Sequence, residues 1–110
     1  MSTRSLISIK NEDGTYDAVY CHFDGYPDGV GYKLNTHYTC PVKIRDLISR
    51  GAMSMLASEV SDCEFYTARG EPINNIYDIS IERLADRASH MGCEYLYRFV
   101  DGQWTHNTVE

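Results

Sequence analysis

The chain has 110 residues, 43% of them hydrophobic and 24% charged, which indicates one folded domain, 1–110, with a modest core. Its net charge of −6 argues against direct nucleic-acid binding, because such binding depends mainly on Lys and Arg at phosphates. No run approaches the ~20 apolar residues of a membrane span, and the N-terminus lacks a signal-type apolar segment. We therefore expect a cytoplasmic protein that does not act at a membrane.

Periodicity and turn signals along the chain predict short strands mixed with helices. The first four residues are expected to fray. The first half of the chain is expected to form strands over 5–10 and 16–23, helices over 30–38 and 41–51, and a helical turn over 52–57. A short strand over 64–68 and a loop over 69–75 follow. The last elements are a helix capped at 78 or 80 and closed at 92, and a hairpin of 93–100 with 104–105.

This order predicts an α+β fold with an antiparallel sheet of four to five short strands and two to three helices packed on one face. The terminal hairpins supply most of the strands, and their order within the sheet does not follow from the sequence. An exposed edge strand can pair with the same strand of a second copy, which makes a homodimer one candidate assembly.

The stretch HFDGYPDGVG, His22 to Gly31, has a composition that neither a strand nor a helix explains. Its glycines and proline predict a shaped loop, and loops held by a rigid scaffold often carry binding groups. The candidate ligand- or partner-binding residues in and beside it are His22, Asp24, Tyr26, Asp28, Gly29, Gly31, Tyr32 and Lys33.

Several structural roles compete with binding in this loop. Asp24 and Asp28 are of the type that bonds backbone amides two or three residues on, and Asp28 is the favoured cap of the following helix. An uncapped helix start would instead favour an anion such as phosphate, with basic side chains nearby at Lys33 and over 43–50. A metal site of His22 with the two aspartates matches no known ligand spacing, so we expect no metal and no cofactor.

The four cysteines, at 21, 40, 63 and 93, lie far apart and form no CxxC pair. They are expected to be unpaired thiols in a reducing compartment, with Cys21 and Cys93 half-buried in strands. No nucleophile signature surrounds any of them, so a catalytic thiol paired with His22 or His37 is the less favoured alternative.

Four segments together resemble a recurring type of small phage and prophage protein. They are an opening SRSLI-like segment at 3–7, the HFDGYPDGVG loop, LISRGAMSML at 47–56 and YLYRFVDGQW at 95–104. In such proteins the loop more often reads Trp-Asp-Gly-Tyr-Pro, so Phe23 is the aromatic substitution here. The resemblance covers most of the chain and implies residence in a bacterial host cytoplasm, but it implies no reaction and no catalytic residues.

Three functional classes follow, in order of preference. The first is an accessory protein that binds a host protein stoichiometrically, inhibiting or redirecting it, for instance a defence component. The second is a binder that sequesters a phosphate-bearing or nucleotide-like metabolite through the 22–31 loop. The third is a small hydrolase using His22 with Asp24 or Asp28, which ranks last because no spacing of titratable groups specifies acid–base chemistry.

Overall fold

Within residues 2–109, which a computed structural model describes, seven β-strands form one mixed sheet and three α-helices pack against it. The strands are β1 (Ser5–Lys10), β2 (Tyr16–Cys21), β3 (Met53–Met55), β4 (Glu64–Phe65), β5 (Asn75–Ile79), β6 (Tyr95–Val100) and β7 (Gln103–Thr108). The helices are α1 (Tyr32–His37), α2 (Pro41–Ser49) and α3 (Ile81–His90).

Strand β1 lies at the centre of the sheet. The order is β4-β3-β2-β1-β6-β7, with β1 antiparallel to β2 and parallel to β6. The first five residues of β1 are all buried, as expected for a strand that is covered on both faces. The hairpin of β6 and β7 closes one side of the sheet, and β7 is an edge strand there.

Alternation along the strands divides the core between the two faces of the sheet. On one face Ile7 and Val19 pack against α1 and α2, represented by Leu34 and Leu47. The opposite face buries Leu6, Ala18 and Leu96 under Leu84 and Ala88 of α3. Ser80 begins α3 as its cap, because its side chain accepts a hydrogen bond from the Arg83 amide at 3.3 Å.

The outer edge of β2 is shared by two strands. Val19 pairs with Asn75 of the antiparallel β5, whereas Cys21 pairs with Met53 of the parallel β3. β3 and β5 run in opposite directions along this edge, and Tyr20 lies between their pairing positions. We call the opening between them the fork crevice.

The α+β class is confirmed, and two details of the prediction need correction. The sheet is larger than the expected four to five strands, and its helices cover both faces where one was expected. The additional strands are short: β3 lies where a helical turn was predicted, and β5 begins at the end of the predicted 69–75 loop. Both depend on pairing with β2, a non-local contact that periodicity does not report.

The chain entry and the sheet edges bear on two other expectations. Fraying was expected over 1–4, yet the carbonyls of Thr3 and Arg4 accept hydrogen bonds from the amides of Gly25 and Glu94, at 2.9 and 2.8 Å. Met1 lies outside the described residues. Homodimer formation through an edge strand stays a prediction. Among residues 2–109, no helix is both long and apolar enough to cross a membrane.

All four cysteines are free thiols, and three of them are buried. Burial raises the pKa of Cys21 to about 12 and that of Cys93 to about 12, so both stay protonated at neutral pH. Cys63 is buried beside Tyr38, whereas Cys40 is exposed just before α2. The unpaired state agrees with the sequence prediction, and Cys21 and Cys93 are more deeply buried than expected.

We predict that iodoacetamide at pH 8 alkylates only Cys40 in the native protein, because the thiolate is the reactive form and the other thiols are buried. Intact-mass spectrometry should show one adduct under native conditions and four after denaturation. A Cys40→Ser variant should show none under native conditions. Rapid native labelling of Cys21 or Cys93 would contradict the described packing.

Candidate functional site

The predicted loop leaves β2 at His22 and is fixed to its neighbours from its first residues. The amides of His22 and Phe23 donate to the carbonyls of Met53 and Ser54, at 3.0 and 2.9 Å, which continues the pairing with β3. The Gly25 amide then donates to the Thr3 carbonyl at 2.9 Å. The loop is therefore tied to both the chain entry and the sheet before it turns.

The turn itself is held by backbone carbonyls. Asp24 adopts a left-handed conformation with φ of 59°, which Asp tolerates better than most residues, and its carbonyl accepts from the Val30 amide at 2.8 Å. The Tyr26 carbonyl accepts from the amides of Gly29 and Gly31 at 2.9 and 3.4 Å, forming one wide π-helical turn over Pro27–Gly31. This turn runs directly into α1.

These bonds correct two expectations for the loop. No side-chain cap hydrogen bond is described at the start of the turn or of α1, so the predicted capping role of Asp28 is wrong. The predicted anion site at the helix start also loses its basis, because the amides of Gly29, Val30 and Gly31 are bonded within the loop. The Asp24 carboxylate accepts a long bond of 3.4 Å from the Tyr26 hydroxyl.

Two of the predicted site glycines are required by close packing. A Cβ at Gly29 would stand 2.4 Å from the Asp24 carbonyl oxygen and 3.1 Å from the Tyr26 ring. A Cβ at Gly31 would stand 3.2 Å from the Tyr97 ring. Both glycines therefore set the shape of the loop, and neither presents a group to solvent.

Tyr97 of β6 is the residue that fixes the loop to the centre of the sheet. Its hydroxyl donates a buried hydrogen bond of 2.7 Å to the Gly25 carbonyl. Burial raises the pKa of Tyr97, so the hydroxyl keeps its proton throughout the physiological range. No local pattern in the sequence indicates this contact, because the two residues lie 72 positions apart.

His22 is a hydrogen-bonded histidine directly after the end of β2. Its Nδ1 lies 2.7 Å from the Tyr20 hydroxyl, and its ring packs edge-on against Phe23 with centroids 4.6 Å apart. Burial raises the pKa of Tyr20 to about 12, so the hydroxyl stays protonated at neutral pH. No described contact joins the His22 ring to Asp24 or Asp28.

Large side chains on the outside of the loop are left exposed. Phe23, Tyr26 and Tyr32 have 46%, 42% and 62% of their surface accessible, and the aspartates at 24 and 28 are exposed between them. We call these five residues (Phe23, Asp24, Tyr26, Asp28 and Tyr32) the loop surface. It combines an aromatic area with two carboxylates on a backbone that is bonded at several points.

The basic side chains expected to form an anion patch bond to other protein groups instead. Lys33 donates to the Leu56 carbonyl at 2.8 Å, and Lys43 forms an ion pair with Glu59 at 3.2 Å. The two arginines of the 43–50 segment pair with aspartates: Arg45 with Asp17 and Arg50 with Asp46. Within residues 2–109, no group of three His, Cys, Asp or Glu side chains is placed to hold a metal ion.

We predict that Gly29→Ala destabilises the protein by about 1–3 kcal/mol, because the added Cβ would overlap the Asp24 carbonyl, which the Val30 amide holds in place. Urea denaturation followed by circular dichroism measures this change. The exposed Thr36→Ala in α1 serves as the control and should stay within about 0.5 kcal/mol of wild type. Equal stability of all three proteins would contradict the described loop.

We predict that Tyr97→Phe costs about 1–2 kcal/mol, because the buried Gly25 carbonyl would lose its hydrogen-bond donor. Tyr32→Phe is the matched control, since Tyr32 is exposed and its hydroxyl has no hydrogen bond among the described residues. Urea denaturation of both variants should show a loss for Tyr97→Phe alone. A loss of the same size in the control would point to a general effect of removing a tyrosine hydroxyl.

No protein-family model, curated protein or solved structure matches the chain. The resemblance of the loop and its flanking segments to small phage proteins stays a prediction from the sequence motifs. The loop surface is therefore interpreted from its own contacts and exposure.

Proposed function

We propose that the chain is a small phage accessory protein that binds a bacterial host protein stoichiometrically, in the host cytoplasm, and inhibits or redirects it. The observation that carries the proposal is the exposure of Phe23, Tyr26 and Tyr32 on one ten-residue segment with a fixed backbone. A defence component of the host is the kind of target that the phage resemblance suggests.

Exposed aromatic side chains on a rigid loop suit protein recognition for two reasons. Their large rings bury much apolar area while losing few rotatable bonds, which is why Tyr and Trp recur among the residues that dominate interfaces. A loop already fixed by Tyr97 and by the Thr3 carbonyl also loses little conformational entropy on binding. Both effects favour affinity without any catalytic group.

Charge indicates the chemistry of the partner. The loop surface carries the carboxylates of Asp24 and Asp28, and the side chain of the nearest lysine, Lys33, is bonded to the Leu56 carbonyl. The whole chain has a net charge of −6, which favours encounter with a basic surface. The partner is therefore a protein with a basic rim around pockets that accept aromatic rings.

The other two functional classes have less support at this loop. A phosphate-bearing ligand would need free amides or cations, and the amides of Gly29, Val30 and Gly31 as well as Lys33 already have protein partners. A hydrolase would need a base oriented by an acid, and the described partner of His22 is the Tyr20 hydroxyl.

We predict that the double variant Tyr26→Ala and Tyr32→Ala loses the host partner while remaining folded, since neither residue belongs to the buried core. Tagged protein would be incubated with bacterial lysate, and retained proteins quantified by mass spectrometry. Wild type should retain one host protein near 1:1, and each alanine should weaken its binding by about tenfold or more.

The matched control is Tyr77→Ala, which removes a tyrosine that is 52% exposed on β5, away from the loop. This control should retain the partner as wild type does. Partner retention by the double variant, or absence of any stoichiometric partner for wild type, would contradict the proposal.

A further inference from the structure

The fork crevice is a cavity of about 330 Å³ beside the edge of β2 that β3 and β5 share. Small-molecule sites are commonly concave and mainly apolar, with a few polar groups in the lining, and this cavity has that composition. The lining residues are Val19, Tyr20, Ala52, Tyr66, Glu71, Asn74, Asn75, Ile76 and Met91. None of them belongs to the loop surface, so this site is independent of the proposed function.

The peptide group of Ala52 connects the walls of the crevice. Its amide donates to the Asn74 carbonyl at 3.0 Å, and its carbonyl accepts from the Tyr66 amide at 3.1 Å. The Glu71 amide in turn donates to the Tyr66 carbonyl at 3.4 Å. The preceding Gly51 has φ of 93°, where a Cβ would also approach the Asn74 amide nitrogen to 3.2 Å. The main chain at Asn74, Tyr66 and Glu71 is thus held in place by backbone hydrogen bonds.

Apolar and aromatic groups form much of the crevice surface. Val19 and Ala52 are buried at its base, and Ile76 and Met91 are half-buried beside them. The rings of Tyr20 and Tyr66 add aromatic surface, on which a flat heterocycle can stack. The Arg69 guanidinium lies over the Tyr66 ring, 5.4 Å from its centroid.

Three polar side-chain groups at the crevice have no hydrogen-bond partner among the described residues: the Tyr66 hydroxyl, the Glu71 carboxylate and the Asn74 amide. An Asn amide offers one donor and one acceptor side by side and matches the N6 and N7 edge of adenine. A carboxylate accepts from exocyclic amino groups of bases. The lining residues include no Lys or Arg, so nothing in the described lining favours a phosphate.

We propose that the fork crevice binds the base of a free amino-bearing purine, with Asn74 and Glu71 recognising its amino edge and the tyrosine rings stacking on it. Single-stranded nucleic acid is the other source of such a base. The net charge of −6 disfavours this source, because the chain repels a polyanion, whereas nucleic-acid binders attract one through Lys and Arg.

Titration of the ¹⁵N-labelled protein with adenosine, guanosine and inosine tests the proposal. Adenosine and guanosine each carry an exocyclic amino group on the base, and inosine carries none. Adenosine or guanosine should shift the amide resonances of Glu71 and of 73–76 saturably at millimolar concentration. Inosine should bind more weakly by a factor of about ten or more, because it leaves the acceptors of the site unpaired. A hexamer of deoxyadenosine should bind no more tightly than adenosine.

The variants Glu71→Gln and Asn74→Ala should each weaken binding of the favoured nucleoside by about tenfold, because each removes hydrogen-bonding capacity at the amino edge. Both side chains are exposed, and thermal melts verify that the variants fold. Glu82→Gln, an exposed carboxylate of α3, is the control and should bind as wild type does. No saturable shift, equal binding of inosine, tighter binding of the oligonucleotide, or full binding by both variants would each overturn the proposal.

Discussion

The hydrogen bond from the Tyr97 hydroxyl to the Gly25 carbonyl joins the middle of the sheet to the loop that carries the exposed aromatics. Without it the buried Gly25 carbonyl would lack a hydrogen-bond partner. The same Tyr97 ring also packs closely against Gly31. This inward-facing side chain therefore adds a buried anchor to the backbone hydrogen bonds that fix the loop. The exposed rings of Tyr26 and Tyr32 are therefore attached to a backbone that internal hydrogen bonds hold in place.

Strand β2 organises the two surfaces of interest. At its end it continues into the loop, and along its outer edge it divides its pairing between β3 and β5. The hydrogen bond between Tyr20 and His22 joins a side chain of the fork crevice to the first residue of the loop. A binding event at either surface therefore acts on the same strand, while the side chains that make the two contacts remain separate.

Local patterns predicted the elements that are defined locally, and they missed those defined by pairing. Alternation located β1 and β6, and the Ser80 cap located α3. The helical spacing of Met53 and Leu56 concealed β3, whose strand geometry comes from pairing with β2 on one side and β4 on the other. The composition of 22–31 located an irregular segment, whose second half, Pro27–Gly31, is a π-helical turn. The crevice was missed because its lining residues come from distant segments that only the shared edge of β2 assembles.

The parallel pairing of β1 with β6 has a consequence for the order of folding. β1 forms a local hairpin with β2, but its other neighbour comes from the far end of the chain, with Ser5 beside Tyr95. Closing so long a loop costs entropy and delays the pairing of β1 with β6. A sheet whose central pairing is non-local is expected to fold slowly for its size. During synthesis the ribosome will have released most of the chain before the two cores on either side of β1 can be completed, so the early hairpin is exposed to chaperones and proteases in that interval.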